Sequence, residues 1–253
     1  MRRALPIAVL ALCAAACGSA SHRAAPPPRL PPFASAPGLT LRTGSAHLTQ
    51  TTSIVVGGAQ VDAHDTGTVA FDGSRAHLYK LSPASNVPGE VIVVGPITFS
   101  NADVQASLMS GDVRPWTRLD TRKLTAGEER NRPDELAHVL APAYLAYGAR
   151  AVSLARRVAD GAVYWARIDP ALVLRRVPRA RRALIAKALS GDYPAKDFNA
   201  KFWIDRRDRI RRVIVAYATA QGTPVAIDTS YDSFGVRVPV APPPAREVKD
   251  ITP

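Results

Sequence analysis

From residue 47 onward the chain is cut into strand-length pieces by turns that reverse the backbone. Residues 47–56 (HLTQTTSIVV) run into Gly57-Gly58, and 67–71 (GTVAF) run into Asp72-Gly73. Residues 74–81 (SRAHLYKL) return, and 90–94 (EVIVV) and 97–100 (ITFS) are separated by Gly95-Pro96. Asp-Gly and Gly-Gly supply the left-handed backbone of tight hairpins, and β-branched residues fill the pieces between them. A further short segment, 114–120 (RPWTRLD), carries Trp116 as its expected anchor. This pattern predicts meandering antiparallel strands, and it lacks the βαβαβ rhythm of a doubly wound nucleotide-binding fold.

Helical signals interrupt the meander twice. After Pro133-Asp134-Glu135, which places acidic residues at a helix start, Leu136, Val139, Leu140, Ala143, Tyr144 and Tyr147 recur at steps of three and four. Gly148 ends this run. Residues 151–158 and 162–168 then form a hairpin around Asp160-Gly161, and 170–189 is a second helical region broken at Pro178. Strands return at 200–205 and 210–218, which flank the polar turn 206–209, and at 224–231. The sum is an α+β chain dominated by antiparallel sheet, with no internal repeat.

The N-terminus has a different character. Residues 1–17 (MRRALPIAVLALCAAAC) join a basic pair, Arg2 and Arg3, to a short apolar run and then to small residues before Cys17. The apolar run is about ten residues where a membrane span needs roughly twenty, so it predicts an export signal. Small residues ahead of a cysteine resemble the lipobox of bacterial lipoproteins, in which the cysteine is acylated and becomes the first residue after cleavage. The resemblance implies a signal peptide over 1–16 and a lipid anchor at Cys17, on the extracytoplasmic face of the cell membrane. Ala14 stands where lipoboxes usually carry Leu, and Cys13 is a poorer candidate because the bulky Leu12 precedes it. The other reading is a plain secretory signal that leaves a free thiol. The chain has two cysteines, Cys13 and Cys17, so the rest folds without disulfides. Residues 17–37 are rich in Pro and Ala, predicting an extended tether, with one domain over 38–253.

The formal charge is +12, from 33 Lys and Arg against 21 Asp and Glu. Loss of Arg2 and Arg3 leaves 31 against 21, or +10. In an exported chain that charge points to anionic headgroups or cell-wall polymers rather than nucleic acid. Arginines cluster at 175–182 and 206–212. On a helix Arg175, Arg179 and Arg182 would share one face. They are candidates for headgroup contact, with a solvated helix face as the bland alternative.

Motifs for catalysis are missing: there is no GxSxG, GxxxxGK[ST], HExxH or GxGxxG. The five histidines are dispersed. The densest polar cluster, Asp62, His64 and Asp65, sits among turn-forming residues and is expected to be a solvated loop. Glu128-Glu129 and Asp134-Glu135 come with no partner. No metal site and no cofactor are expected, and an enzyme with dispersed catalytic residues is the poorer reading.

Several segments together look familiar. A lipobox and Pro-rich tether lead into meandering strands, then RPWTRLD, a helix, a hairpin ending in YWARID, KFWIDRRDRIRRVIVAY and a terminal YDSFGVRVPVAPPPAREVKD. That order resembles actinobacterial lipoproteins of the LppX/LprG type, which share the half-barrel fold of the LolA/LolB carriers. The resemblance covers most of residues 45–250. The chain departs from it in having no glycine in the 206–209 turn and in its Arg-rich helical segment.

The resemblance implies a strongly curved antiparallel sheet whose concave face is covered by helices. It also implies an apolar groove for an acyl lipid or lipoglycan, held for carriage or retention in the cell envelope. Each CH₂ buried in such a groove contributes about 0.8 kcal/mol. Val69, Phe71, Leu78, Val93, Leu136, Leu140, Phe202, Ile204, Val213 and Val215 are the candidates to line it. The same ten residues could instead fill a closed core, making the domain a non-transporting interaction or sensor module.

Overall fold

The computed structural model describes residues 33–81, 88–101, 114–125, 135–194, 196–219 and 221–253. The signal-like segment, Cys13, Cys17, tether residues 18–32, Glu128-Glu129, Pro133 and Asp134 lie outside the described residues.

Among the described residues, twelve strands form one sheet. They are β1 (Ser45–Val56), β2 (Ala59–Ala70), β3 (Arg75–Leu81), β4 (Gly89–Val94), β5 (Ile97–Ser100), β6 (Trp116–Asp120), β7 (Ala149–Val158), β8 (Gly161–Ile168), β9 (Phe198–Asp205), β10 (Ile210–Ala218), β11 (Pro224–Asp232) and β12 (Val248–Asp250). Their spatial order is β12-β6-β5-β4-β3-β2-β1-β11-β10-β9-β8-β7. Two meanders, β1 to β6 and β7 to β11, therefore join through the antiparallel β1–β11 pair. β12 and β7 are the two edges and do not pair with each other, so the sheet is a curved, unclosed half-barrel. Short β12 is the exception to the antiparallel rule, lying parallel to β6.

Four α-helices are described, all packed on the concave side: α1 (Ala36–Arg42), α2 (Glu135–Leu145), α3 (Pro170–Arg176) and α4 (Arg182–Asp192). α2 differs from the one-sided helix that its three- and four-residue steps predict. From Leu136 to Leu145 every residue except His138 is buried, because the curved sheet, α1, α3 and α4 surround it. Two tyrosine hydroxyls, one on α2 and one on the sheet, tie it down. Tyr144 Oη donates to the Phe71 carbonyl at 2.7 Å, and Tyr231 Oη of β11 donates to the Val139 carbonyl at 3.3 Å.

The second helical region is not one helix. Asp169 caps α3 by accepting from the Leu172 N–H, and Pro170 opens it at the first turn. Val177, held extended ahead of Pro178, then ends it. A 3₁₀ turn, Arg179–Arg181, precedes α4. The packed body also begins before residue 38. Phe33 is buried edge-to-face against Tyr164 and Phe202, with ring centroids 5.6 and 5.1 Å away, and the expected boundary at 37 falls inside α1.

Candidate functional site

Residues directly opposite each other in paired strands point to the same side of a sheet. The registers therefore trace a single row across the concave wall, from the free edge strand inward. Leu154 of β7 faces Tyr164 of β8, which faces Phe202 of β9, which faces Val213 of β10. Val213 faces Thr229 of β11, and Thr229 faces Gln50 of β1. Gln50 faces Asp65 of β2, and Asp65 faces Lys80 of β3. The row changes character in the middle: four hydrophobic residues on β7 to β10 give way to four polar ones on β11 to β3.

A second row, one step along the strands, runs Val152, Ala166, Ala200, Val215, Ile227, Thr52 and Ala63. It is apolar except at Thr52, whose Oγ1 lies 3.4 Å from His138 Nε2 on α2. Both rows are hydrocarbon from β7 to β10, and in the second Thr52 alone carries a polar contact to α2.

The polar half of the first row is built into the interior. Thr229 and Gln50 are fully buried, and Asp65 is nearly so. Thr229 Oγ1 donates to Gln50 Oε1 at 2.8 Å, and Lys80 Nζ stands 3.8 Å from Asp65. Among the described residues, Gln50 Nε2 has no hydrogen-bond partner. A buried donor in that state costs about 1–3 kcal/mol, so its place in the middle of the wall has a physical consequence.

At the β7 edge the helical cover ends. Val152 and Leu154 are 43% and 42% exposed, although their partners Ala166 and Tyr164 are buried. At the far tip of β1, Ile54 and Val56 on the same face are also exposed. The concave apolar surface therefore continues past the helices at both places.

All ten residues singled out from the sequence, Val69, Phe71, Leu78, Val93, Leu136, Leu140, Phe202, Ile204, Val213 and Val215, are buried in one cluster that joins the concave face to α2. Phe202 and Val213 belong to the first row and Val215 to the second. Gln50, Thr229 and Lys80 were not singled out, and Asp65 was named only as a member of the polar cluster with Asp62 and His64. The strict alternation of 46, 48 and 50 with 47, 49 and 51 in a strand is the signal that places Gln50 inside.

Two expectations need correction. Asp62, His64 and Asp65 are not in a loop: they lie in β2, which extends back to Ala59. His64 faces outward, with Nδ1 3.1 Å from Thr51 Oγ1, while Asp65 faces inward. Arg175, Arg179 and Arg182 do not share a helix face. They fall in α3, the 3₁₀ turn and the first position of α4, because Pro178 breaks the helix. All three are exposed.

On the convex side, Lys201 Nζ lies 5.2 Å from the Trp165 ring and 4.9 Å from the Trp203 ring. Arg212 lies over Trp203 at 5.0 Å and pairs with Asp228 through Nε–Oδ1 at 2.8 Å. Beside them is a depression of about 210 Å³ lined by Asp160, Trp203, Arg211, Arg212, Ser230 and Asp232, among others. Among the described residues, no group of three His, Cys, Asp or Glu side chains is placed to hold a metal ion. No helix among them is long and apolar enough to cross a membrane.

The fold and the concave wall define an α+β half-barrel with a helical filling. The structure is similar to the crystal structure of the Mycobacterium tuberculosis lipoprotein LppX, covering 83% of this chain and 98% of that one, at 12% identity and a TM-score of 0.45. No protein-family model matches the sequence, and no curated protein matches it.

Proposed function

We propose that this chain is an exported lipoprotein, anchored through Cys17, that binds an acyl lipid or lipoglycan against the concave wall for carriage or retention in the cell envelope. The observation that carries the reading is the half-apolar row that emerges from beneath the helices at Leu154. An apolar surface running unbroken from a buried centre to an open edge is what an acyl chain needs in order to enter. The residues that fill the wall are also those that would line it, so uptake requires the helical cover to move away from the β7–β10 half. Binding of this kind uses apolar area and asks for no catalytic group.

Native mass spectrometry of the purified protein, followed by solvent extraction, tests the reading. Co-purifying acyl species are the expected result, and their absence with no uptake of added lipid would overturn it. For the anchor, Cys17→Ser should abolish metabolic labelling with a fatty-acid analogue, while Cys13→Ser leaves it intact. The exposed arginines 175, 179 and 182 are proposed to meet anionic headgroups. Reversing all three charges should weaken binding to anionic vesicles and leave binding to neutral ones unchanged.

A specific observation favours a second reading. The ten core candidates are each at most 5% exposed, which suits a closed module that contacts envelope proteins and takes no lipid.

A further inference from the structure

Gln50 presents an unpaired donor at the point where the concave wall turns from apolar to polar. Its Oε1 is held by Thr229, which fixes the orientation of the amide and leaves Nε2 aimed away from its one partner. On one side the row continues through Val213, Phe202 and Tyr164 to exposed Leu154; on the other it continues to the Asp65–Lys80 pair. Two residues along β1, Thr52 meets His138 of α2, so α2 roofs this part of the sheet.

We propose, building on the lipid reading, that Gln50 seats the ester group of the bound lipid. Nε2 donates a hydrogen bond to an acyl-ester carbonyl oxygen, and the hydrocarbon runs along Val213, Phe202 and Tyr164 toward the β7 edge. The ligand class is a neutral acyl ester. A carbonyl suits the site because the missing partner is an acceptor, and because the charge of Lys80 is already met by Asp65. The buried donor also biases the empty state. Closed over the sheet, the roof leaves Nε2 without a partner; when the roof lifts and a carbonyl enters, the penalty is removed. The unsatisfied group therefore favours the loaded form over the empty one.

The test compares Gln50→Met with the unmodified chain. The probes are monopalmitoylglycerol and hexadecane, each measured by displacement of a polarity-sensitive fluorophore. Methionine keeps the volume and removes the donor, and the variant also carries Thr229→Val because methionine offers no acceptor to the buried Thr229 hydroxyl. The variant should bind monopalmitoylglycerol about five- to tenfold more weakly, the worth of one hydrogen bond, and leave hexadecane unchanged. It should also leave the melting temperature of the empty protein unchanged or raised. Equal effects on both probes, or no effect on either, overturn the proposal. So does a lowered melting temperature, which would make Gln50 a structural residue. If neither probe binds the unmodified chain, the lipid reading itself fails. A second measurement needs no variant: the infrared ester-carbonyl band of bound, isotope-labelled monopalmitoylglycerol should lie below its position in hydrocarbon solvent. A band at the hydrocarbon position would overturn the assignment.

Discussion

The Tyr144 hydroxyl on α2 donates a 2.7 Å hydrogen bond to the carbonyl oxygen of Phe71, just beyond β2, and both side chains are buried. Burial pushes the Tyr144 phenol up to about 12, so the hydroxyl stays a donor through the physiological range. Tyr144→Phe keeps the ring and leaves that carbonyl unpaired in the interior. The expected loss is about 1–3 kcal/mol in chemical denaturation. Tyr231→Phe removes the longer 3.3 Å bond to Val139 and should cost less than Tyr144→Phe. The opposite order would place the main helix-to-sheet tie at Tyr231.

Gly67 holds a close approach between strands. It sits in the middle of β2 opposite Leu78, and a Cβ there would stand 2.0 Å from the His77 carbonyl oxygen of β3. No side chain fits without parting the two backbones. Gly67→Ala should cost about 3 kcal/mol, at the upper end of ordinary substitutions. Gly57→Ala is the control. Its backbone has φ of +59° but open space around it, so only the conformational cost of roughly 1 kcal/mol applies. Equal losses at the two positions would show that β3 yields to the added methyl.

Gly67 also explains where sequence reading fell short. A glycine in a polar stretch signals a turn, so 62–65 was expected in a loop; the structure uses the same glycine as a contact point within a strand. The strand borders at Val56, Val94, Asp205 and Ala218 were legible because the pattern and the turn residues agree there. Burial of the ten candidates was legible from strand alternation on the sheet and, for Leu136 and Leu140, from steps of three and four on α2. Gln50 was not, because a lone glutamine in HLTQTTS has the composition of an outward position, and its inward side follows only from counting from Leu48. The break of the Arg-rich region at Pro178 was visible, yet the one-face spacing of Arg175, Arg179 and Arg182 presumes an unbroken helix. The pairing of β1 with β11, which fixes the strand order, has no local signal at all.

The turn between β9 and β10 reverses without a glycine because Asp208 takes the left-handed conformation, with φ of +60°. Asp tolerates that region better than most residues. Asp205 holds the reversal, accepting from the Arg207 and Arg209 backbone N–H groups at 2.9 Å each and from the Arg209 guanidinium at 2.7 and 2.9 Å. Asp208→Gly should stabilise the protein by up to about 1 kcal/mol in thermal or urea unfolding. Asp205→Ala should cost about 2 kcal/mol, since its hydrogen bonds to the turn are lost together. Destabilisation by Asp208→Gly would mean that the aspartate carboxylate, rather than its backbone, serves the turn.

Acid should act first on the β6–β12 edge. Hydrogen bonds from the Arg122 guanidinium, at 2.6 and 2.9 Å, overcome desolvation of the buried Asp120 carboxyl and hold it down to about 2. Asp250 is lowered by its hydrogen bonds from Thr252 and by Arg118, which it meets at 2.6 Å. Arg118 also stands 3.7 Å from Asp120, so one guanidinium links the two strands. Both carboxyls have folded values below the ordinary 3.8, so the unfolded chain takes up protons first. The Asp120 contribution is complete above about pH 5 and disappears as the pH falls through about 2, and Asp250 adds a loss of the same sign. The melting temperature of the unmodified protein should therefore drop across that window. Asp120→Asn should lower it near neutral pH and flatten the acid limb, because the titrating group is gone. Parallel limbs for the two proteins would show that the Asp120–Arg122 pair does not couple to folding.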